Sequence, residues 1–222
     1  MSAMRQILSG PAGDIEVLIE TPAAGARGFA FVGHPHPLFG GTLDNKVAAT
    51  LARAFLALDW IAIRPNFRGV GKSAGVHDDG RGETADLLWL MDEVPRWPQW
   101  QLSGAAPAAV ALAGFSFGSF VAAGAARALS EAGRAARHLV LVGAAAGKWP
   151  MPDVPAQTLV IHGELDETIP LKDVFPWALR SEVPVVVIPG ADHFFHRRLT
   201  TLKRIVVQNL RGAAGGEGAA DE

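Results

Sequence analysis

The chain has 222 residues, 49% of them apolar and 19% charged, with a formal net charge of −2. That length suits one domain able to bury ~70% of its unfolded surface, and a charge so near zero gives no reason to expect a nucleic acid as partner. With no cysteine, disulfides, thiolate metal sites and a cysteine nucleophile are excluded.

Met1 to Asp14 lacks a long apolar core behind a basic start, so no secretory signal is expected and the cytoplasm is the expected compartment. Asp14 to Glu20 alternates apolar and charged residues, as an exposed or edge strand would. Phe29 to Gly33 is a short apolar strand ending at His34-Pro35-His36-Pro37. Asn45 to Leu58 carries helical apolar spacing, with Thr42 or Asp44 as its cap. Trp60 to Arg64 reads as a strand, Asn66 to Gly75 as a Gly-rich loop and Glu83 to Val94 as an amphipathic helix. Gln101 to Ala126 has no charged residue and is long enough to span a bilayer. Its Ala, Gly and Ser content, Pro107 and the break at Gly-Phe-Ser-Phe-Gly favour a buried strand (Ala109 to Ala113) and a buried helix (Phe117 to Leu129), with no membrane partner.

His138 to Val142, Leu159 to Ile161 and Val185 to Ile188 read as further strands, and Val174 to Leu179 and Leu199 to Leu210 as helices. His196, Arg197, Arg198, Lys203 and Arg204 form a local basic cluster that reads as a solvated helix face. The tail Gly212 to Glu222 is Gly, Ala and acidic residues and is expected to be disordered, leaving 1–211 as a single domain. Strands alternating with helices predict an α/β fold, a mostly parallel sheet with helices on both faces. Ligands of such sheets sit at the carboxyl ends of the strands, so chemistry is sought in the loops that follow them.

Two segments match Gly-x-Ser-x-Gly: Gly71-Lys72-Ser73-Ala74-Gly75 and Gly114-Phe115-Ser116-Phe117-Gly118. The chemistry needs a sharp strand-to-helix turn that projects the hydroxyl and aims the next N–H at the reacting carbonyl. Ser116 has a strand before it and a helix after it, so it is the expected nucleophile, the alternative being a simple helix cap. Ser73 follows a loop and precedes Val76-His77-Asp78-Asp79-Gly80, which starts no helix. Gly71-Lys72-Ser73 also resembles the end of a phosphate-binding loop, but Asn66 stands where that motif needs a glycine.

A serine nucleophile needs an imidazole to take its proton and an acid to hold that imidazole. With this kind of turn the order along the chain is Ser, acid, His. Asp166 and His193 supply that order, each after a strand; Glu164 and Glu167 are competing acids, and His162 and His196 competing bases. The oxyanion needs two donors. One is the Phe117 N–H; the other falls to His36 or Leu38, because Pro35 and Pro37 have none, and His36 is preferred. His34 and His36 also suit a metal, but no third ligand is evident, so neither a metal nor any other cofactor is expected.

Four segments together resemble the α/β-hydrolase superfamily from Ile7 to Leu210: His34-Pro35-His36-Pro37 with Gly40-Gly41, Arg64 to Ser73, Gly114 to Gly118, and Gly190-Ala191-Asp192-His193-Phe194-Phe195. The His-Pro-His-Pro loop is similar to that of small bacterial hydrolases near the dienelactone hydrolases, whose own nucleophile is a cysteine that this chain lacks. The resemblance implies an eight-stranded sheet, a Ser116, Asp166, His193 triad and a structural role for the Ser73 loop. About fifteen residues separate Val142 from Thr158, and with their glycines and prolines they make a loop rather than a lid. An open site with Leu38, Phe39, Phe115 and Phe194 as substrate contacts, among apolar side chains that include Phe117, Trp149 and Phe195, suits a small or short-chain carboxylic ester. An inactive binding protein on the same fold, or an acyltransferase or C–C bond hydrolase with the same triad, are the alternatives. Oligomeric state is not readable from these residues.

Overall fold

The alternation over Asp14 to Glu20 belongs to a hairpin. Strand β1 (Ser2–Gly10) pairs antiparallel with β2 (Gly13–Thr21), which pairs antiparallel with β4 (Ile61–Pro65) on its other side. The edge is therefore β1, and β2 is an inner strand with Ile15, Glu16 and Val17 all buried. Glu16 is tolerated there because its carboxylate accepts from Arg5, Asn66 Nδ2 and the Lys72 N–H. The computed structural model describes residues 2–100, 102 and 108–215.

Strands β3 (Gly28–Gly33), β5 (Ala109–Phe115), β6 (His138–Val142), β7 (Leu159–Gly163) and β8 (Val185–Ile188) continue the sheet in the order β1-β2-β4-β3-β5-β6-β7-β8. From β4 onward every pairing is parallel. The period-two alternation of strand side chains divides the interior into two cores. Phe29, Phe31, Leu139 and Leu141 face one layer, with α2 (Arg81–Glu93), α3 (Phe117–Glu131) and α4 (Leu171–Arg180). Ala30, Val32, Val140 and Val142 face the other, with α1 (Lys46–Leu56) and α5 (Leu199–Gly215).

Helix α1 is capped by Asn45 rather than Thr42 or Asp44: its side-chain oxygen accepts from the N–H groups of Val47 (2.9 Å) and Ala48 (3.2 Å). The uncharged stretch folds as β5 and α3 over 108–126; residues 101 and 103–107 lie outside the described residues. Among the described residues no helix is long and apolar enough to cross a membrane. Between β6 and β7 there is no helix or strand, only an isolated bridge between Ala146 and Trp149, so the fold carries no lid. Helix α5 runs past Arg211 to Gly215, as Ala213 and Ala214 allow; the rest of the tail lies outside the described residues. In the basic cluster, His196, Arg197, Arg198 and Arg204 are exposed and Lys203 is half-buried.

Candidate active site

Strand β5 ends at Phe115 and α3 begins at Phe117, leaving Ser116 alone to make the turn. Its φ of 55° and ψ of −122° lie where residues with a Cβ are strained. The surroundings hold it there. Its N–H donates to the Val142 carbonyl (2.9 Å), and its carbonyl accepts from the Ser119 N–H (2.8 Å) and Oγ (2.5 Å). Ser119 Oγ in turn accepts from the Ala145 N–H (3.0 Å). The flanking glycines are required by close approach: a Cβ on Gly114 would lie 2.0 Å from the Gly118 carbonyl oxygen, and one on Gly118 2.4 Å from that of Gly33.

The loops after β7 and β8 bring Asp166 and His193 to this turn. His193 Nε2 lies 3.1 Å from Ser116 Oγ, and His193 Nδ1 lies 2.7 Å from Asp166 Oδ2. The carboxylate accepts a hydrogen bond from Nδ1–H, which leaves Nε2 with its lone pair toward the hydroxyl. The other carboxylate oxygen accepts from the N–H groups of Thr168 (2.9 Å) and Ile169 (2.7 Å), so Asp166 is buried with both oxygens satisfied. The rival residues go elsewhere. Glu164 accepts from the Gly190 N–H, His196 pairs with Asp192, and Glu167 is exposed. His162 is fully buried behind Asp166, with Nε2 2.8 Å from the Ile169 carbonyl and 3.3 Å from Asp166 Oδ2. Burial holds its pKa below the ordinary histidine value, the Ile169 carbonyl pulling the other way.

The loop after β3 supplies the other wall. Pro37–Phe39 forms a 3₁₀ turn capped by the His36 side chain, whose Nδ1 accepts the Leu38 N–H at 3.2 Å. Leu38 is thereby engaged, and of the two candidate donors only the His36 N–H is free; neither it nor the Phe117 N–H has an acceptor among the described residues. His34 sets the plane of the Pro35–His36 peptide: its Nδ1–H donates to the Pro35 carbonyl (2.6 Å) while its Nε2 accepts the Phe67 N–H (2.9 Å). That pairing demands the neutral ring, and burial pushes the His34 pKa down to about 4. In a trans peptide the N–H points away from the C=O. The His36 N–H therefore points away from the His34 ring. Gly41 allows the loop to fold back, since a Cβ there would lie 2.0 Å from the Pro35 carbonyl oxygen.

Of the expected substrate contacts, Leu38 (71% exposed), Phe39 (86%) and Phe194 (46%) stand open to solvent. Phe115 does not. It is fully buried, with its ring 4.9 Å from that of His193, so it backs the imidazole from the core side. Strand alternation explains this, because Phe115 shares a face with Ala111 and Ala113. Phe117 and Phe195 are buried and Trp149 is half-buried. Val76 and Leu165 are further exposed apolar side chains on the loops after β4 and β7. His77, which carries no sequence signal, packs against Phe117 with ring centroids 5.1 Å apart. No group of three metal-ligating side chains occurs among the described residues, and Ser73 lies in a loop that ends in α2 only at Arg81.

No protein-family profile matches the chain. An α/β serine hydrolase without lid from Xanthomonas campestris is 35% identical, with 94% of each chain covered and a TM-score of 0.83. An α/β serine hydrolase homologue from Coxiella burnetii is also 35% identical, covering 95% of this chain and 98% of that one, with a TM-score of 0.77. An uncharacterized protein of Rickettsia prowazekii is 27% identical over 215 residues, 89% of this chain and 84% of that protein.

Proposed function

The chain belongs to the α/β-hydrolase superfamily, and from that premise we propose that it hydrolyses small or short-chain carboxylic esters through an acyl-enzyme on Ser116. The observation that carries the reading is the unbroken contact from Asp166 Oδ2 to His193 Nδ1 (2.7 Å) and from His193 Nε2 to Ser116 Oγ (3.1 Å).

In the proposed reaction Ser116 Oγ attacks the ester carbonyl carbon as its proton passes to His193 Nε2. Asp166 holds the imidazole in the required tautomer and stabilises the imidazolium. The N–H groups of Phe117 and His36 meet the negative oxygen, a stabilisation worth roughly 10²–10³ in rate for each donor. Collapse expels the alcohol oxygen, which takes the proton from His193 Nε2 and leaves the acyl group on Oγ. Water then attacks the acyl carbon, giving its proton to His193 Nε2; as the second tetrahedral species collapses, the C–Oγ bond breaks, His193 Nε2 returns that proton to Oγ and the acid is released. No cofactor enters these steps.

The short-chain preference rests on the open rim. Leu38 and Phe39 are 71% and 86% exposed, so this side of the site is open rim and offers a long acyl chain little burial. A panel of p-nitrophenyl esters from acetate to decanoate tests it. Expected is the highest kcat/KM at the short end, with Ser116→Ala inactive throughout. A maximum at decanoate would overturn the substrate class, and a folded wild-type protein that turns over no ester would overturn the reaction.

A further inference from the structure

The hydrolytic scheme uses the backbone of His36 but not its ring, and the ring sits in a cluster of its own. Its centroid lies 4.7 Å from that of His77, 5.1 Å from Phe117, 5.6 Å from Trp149 and 4.8 Å from Phe39. His77 is anchored in turn. Its Nδ1 lies 2.8 Å from Glu83 Oε1, and its Nε2 3.4 Å from Asp79 Oδ1. Glu83 is fully buried in the first turn of α2 and also accepts from the N–H groups of Asp78 and Gly80. The His77 wall is therefore fixed to a helix terminus.

Three hydrogen bonds to His36 then define the turn after β3. Its Nδ1 accepts from Leu38 N–H (3.2 Å), and its carbonyl from Phe39 N–H (3.2 Å) and Gly41 N–H (3.0 Å). An Nδ1 that accepts must have its lone pair free, which makes this ring the neutral Nε2–H tautomer.

We propose that the His36 imidazole is a positioning residue for the oxyanion donor on its own backbone, acting through the Nδ1 bond to Leu38, with the Glu83-anchored His77 ring as the wall that holds its rotamer. This rests on the reading of the His36 N–H as an oxyanion donor. The same bond makes the donor sensitive to acid. Protonation fills the Nδ1 lone pair and sets one N–H against another, which ends the cap and frees the turn. Burial and His77 hold the His36 pKa below the ordinary histidine value, and Glu83 and Asp79 pull the other way; these are the charged groups that face the ring. The bond to Leu38 is thus intact near neutrality and lost as the solution is acidified.

Two substitutions test this, with kcat and KM for p-nitrophenyl acetate followed from mildly acid to neutral pH and folding checked by thermal melting. His36→Phe keeps an aromatic ring and removes the acceptor. It should lose about 10–100-fold in kcat with KM changed less than about threefold, because the interaction is made mainly in the transition state. His36→Asn offers a side-chain carbonyl to the Leu38 N–H, as Asx turns do, and cannot titrate. It should recover to within about fivefold of wild type, and its kcat should fall less steeply with acid than that of wild type. A His36→Phe enzyme within about twofold of wild type, beside an inactive Ser116→Ala, would overturn the inference and leave the proposed reaction standing. A folded wild type with no esterase activity would overturn the reaction itself and this inference with it. Should His36→Phe not fold, the ¹⁵N shifts of the wild-type His36 ring at neutral pH decide: a neutral Nε2–H tautomer is expected, and an Nδ1–H or charged ring would overturn the proposal.

Discussion

Gly71-Lys72-Ser73-Ala74-Gly75 and Gly114-Phe115-Ser116-Phe117-Gly118 have the same residue pattern, and their serines are equally buried at 8% exposure. They differ in what surrounds the hydroxyl and in why the glycines are there. Ser73 Oγ is spent: it accepts the Glu16 N–H (2.9 Å) and donates to the Asn66 carbonyl (2.8 Å), pinning the loop to β2. Among the described residues Ser116 Oγ meets only the His193 imidazole, on a backbone held at φ 55°. Gly71 and Gly75 have φ of 59° and 80°, so they serve a loop that must turn. Gly114 and Gly118 are there because β5, α3 and β3 touch backbone to backbone. A serine is made available for chemistry by the absence of ordinary hydrogen-bond partners, and neither the pattern nor burial reports that.

The contrast is sharpened first at the hydroxyl's partners. Asp166→Asn should lower kcat by about 10²–10⁴-fold with the fold intact, because an amide can hold His193 in the wrong tautomer; steady-state kinetics on p-nitrophenyl acetate reads it. The final glycines come next. Gly118→Ala places a methyl 2.4 Å from the Gly33 carbonyl oxygen, and should cost about 3 kcal/mol or prevent folding. Gly75→Ala, whose Cβ meets nothing nearer than 3.7 Å, should cost only about 1–2 kcal/mol of left-handed strain. Urea melts of the pair would refute the account if the two losses were equal.

An effect of similar size belongs to His34, beneath the proposed oxyanion loop. Its folded pKa is about 4 against an ordinary 6.5, so between those values the unfolded chain binds the proton and the folded one does not. Stability therefore falls as pH drops through that window, by about 3 kcal/mol at its foot. His34→Asn should lose that part of the pH dependence in denaturation curves, whereas an unchanged slope would assign it elsewhere. The smallest effect is at the other serine. Ser73→Ala strands the Glu16 N–H and the Asn66 carbonyl, at a cost of about 1–3 kcal/mol with kcat unchanged.

Much of the sheet was legible because apolar runs such as His138 to Val142 and Val185 to Ile188 have one reading in an alternating α/β chain. β1 was not. Its residues alternate between exposed and half-buried, but Gln6 lies on the covered side and Ile7 on the open one, so the sequence shows no apolar alternation. Asp14 to Glu20 consequently looked like an edge when β1 already covered it. In the site, order along the chain singled out Ser116, Asp166 and His193, but the choice among Asp166, Glu164 and Glu167 needed three dimensions. Asp166 meets His193 and is held by the N–H groups of Thr168 and Ile169 in the turn before α4, while Glu164 turns to Gly190. Phe115 was misread because its strand position turns it under His193 rather than toward solvent. The motif drew notice to His34 but not to its bond with the Phe67 N–H, 33 residues away, and the pairing of His77 with the Glu83 side chain left no mark in the sequence.

The most direct test is covalent labelling of the folded protein with a fluorophosphonate, followed by mapping of the modified residue in wild type, Ser116→Ala and Ser73→Ala. The account predicts one adduct, on Ser116, lost in Ser116→Ala and formed at the wild-type rate in Ser73→Ala. An adduct on Ser73, or labelling that survives Ser116→Ala, would contradict it.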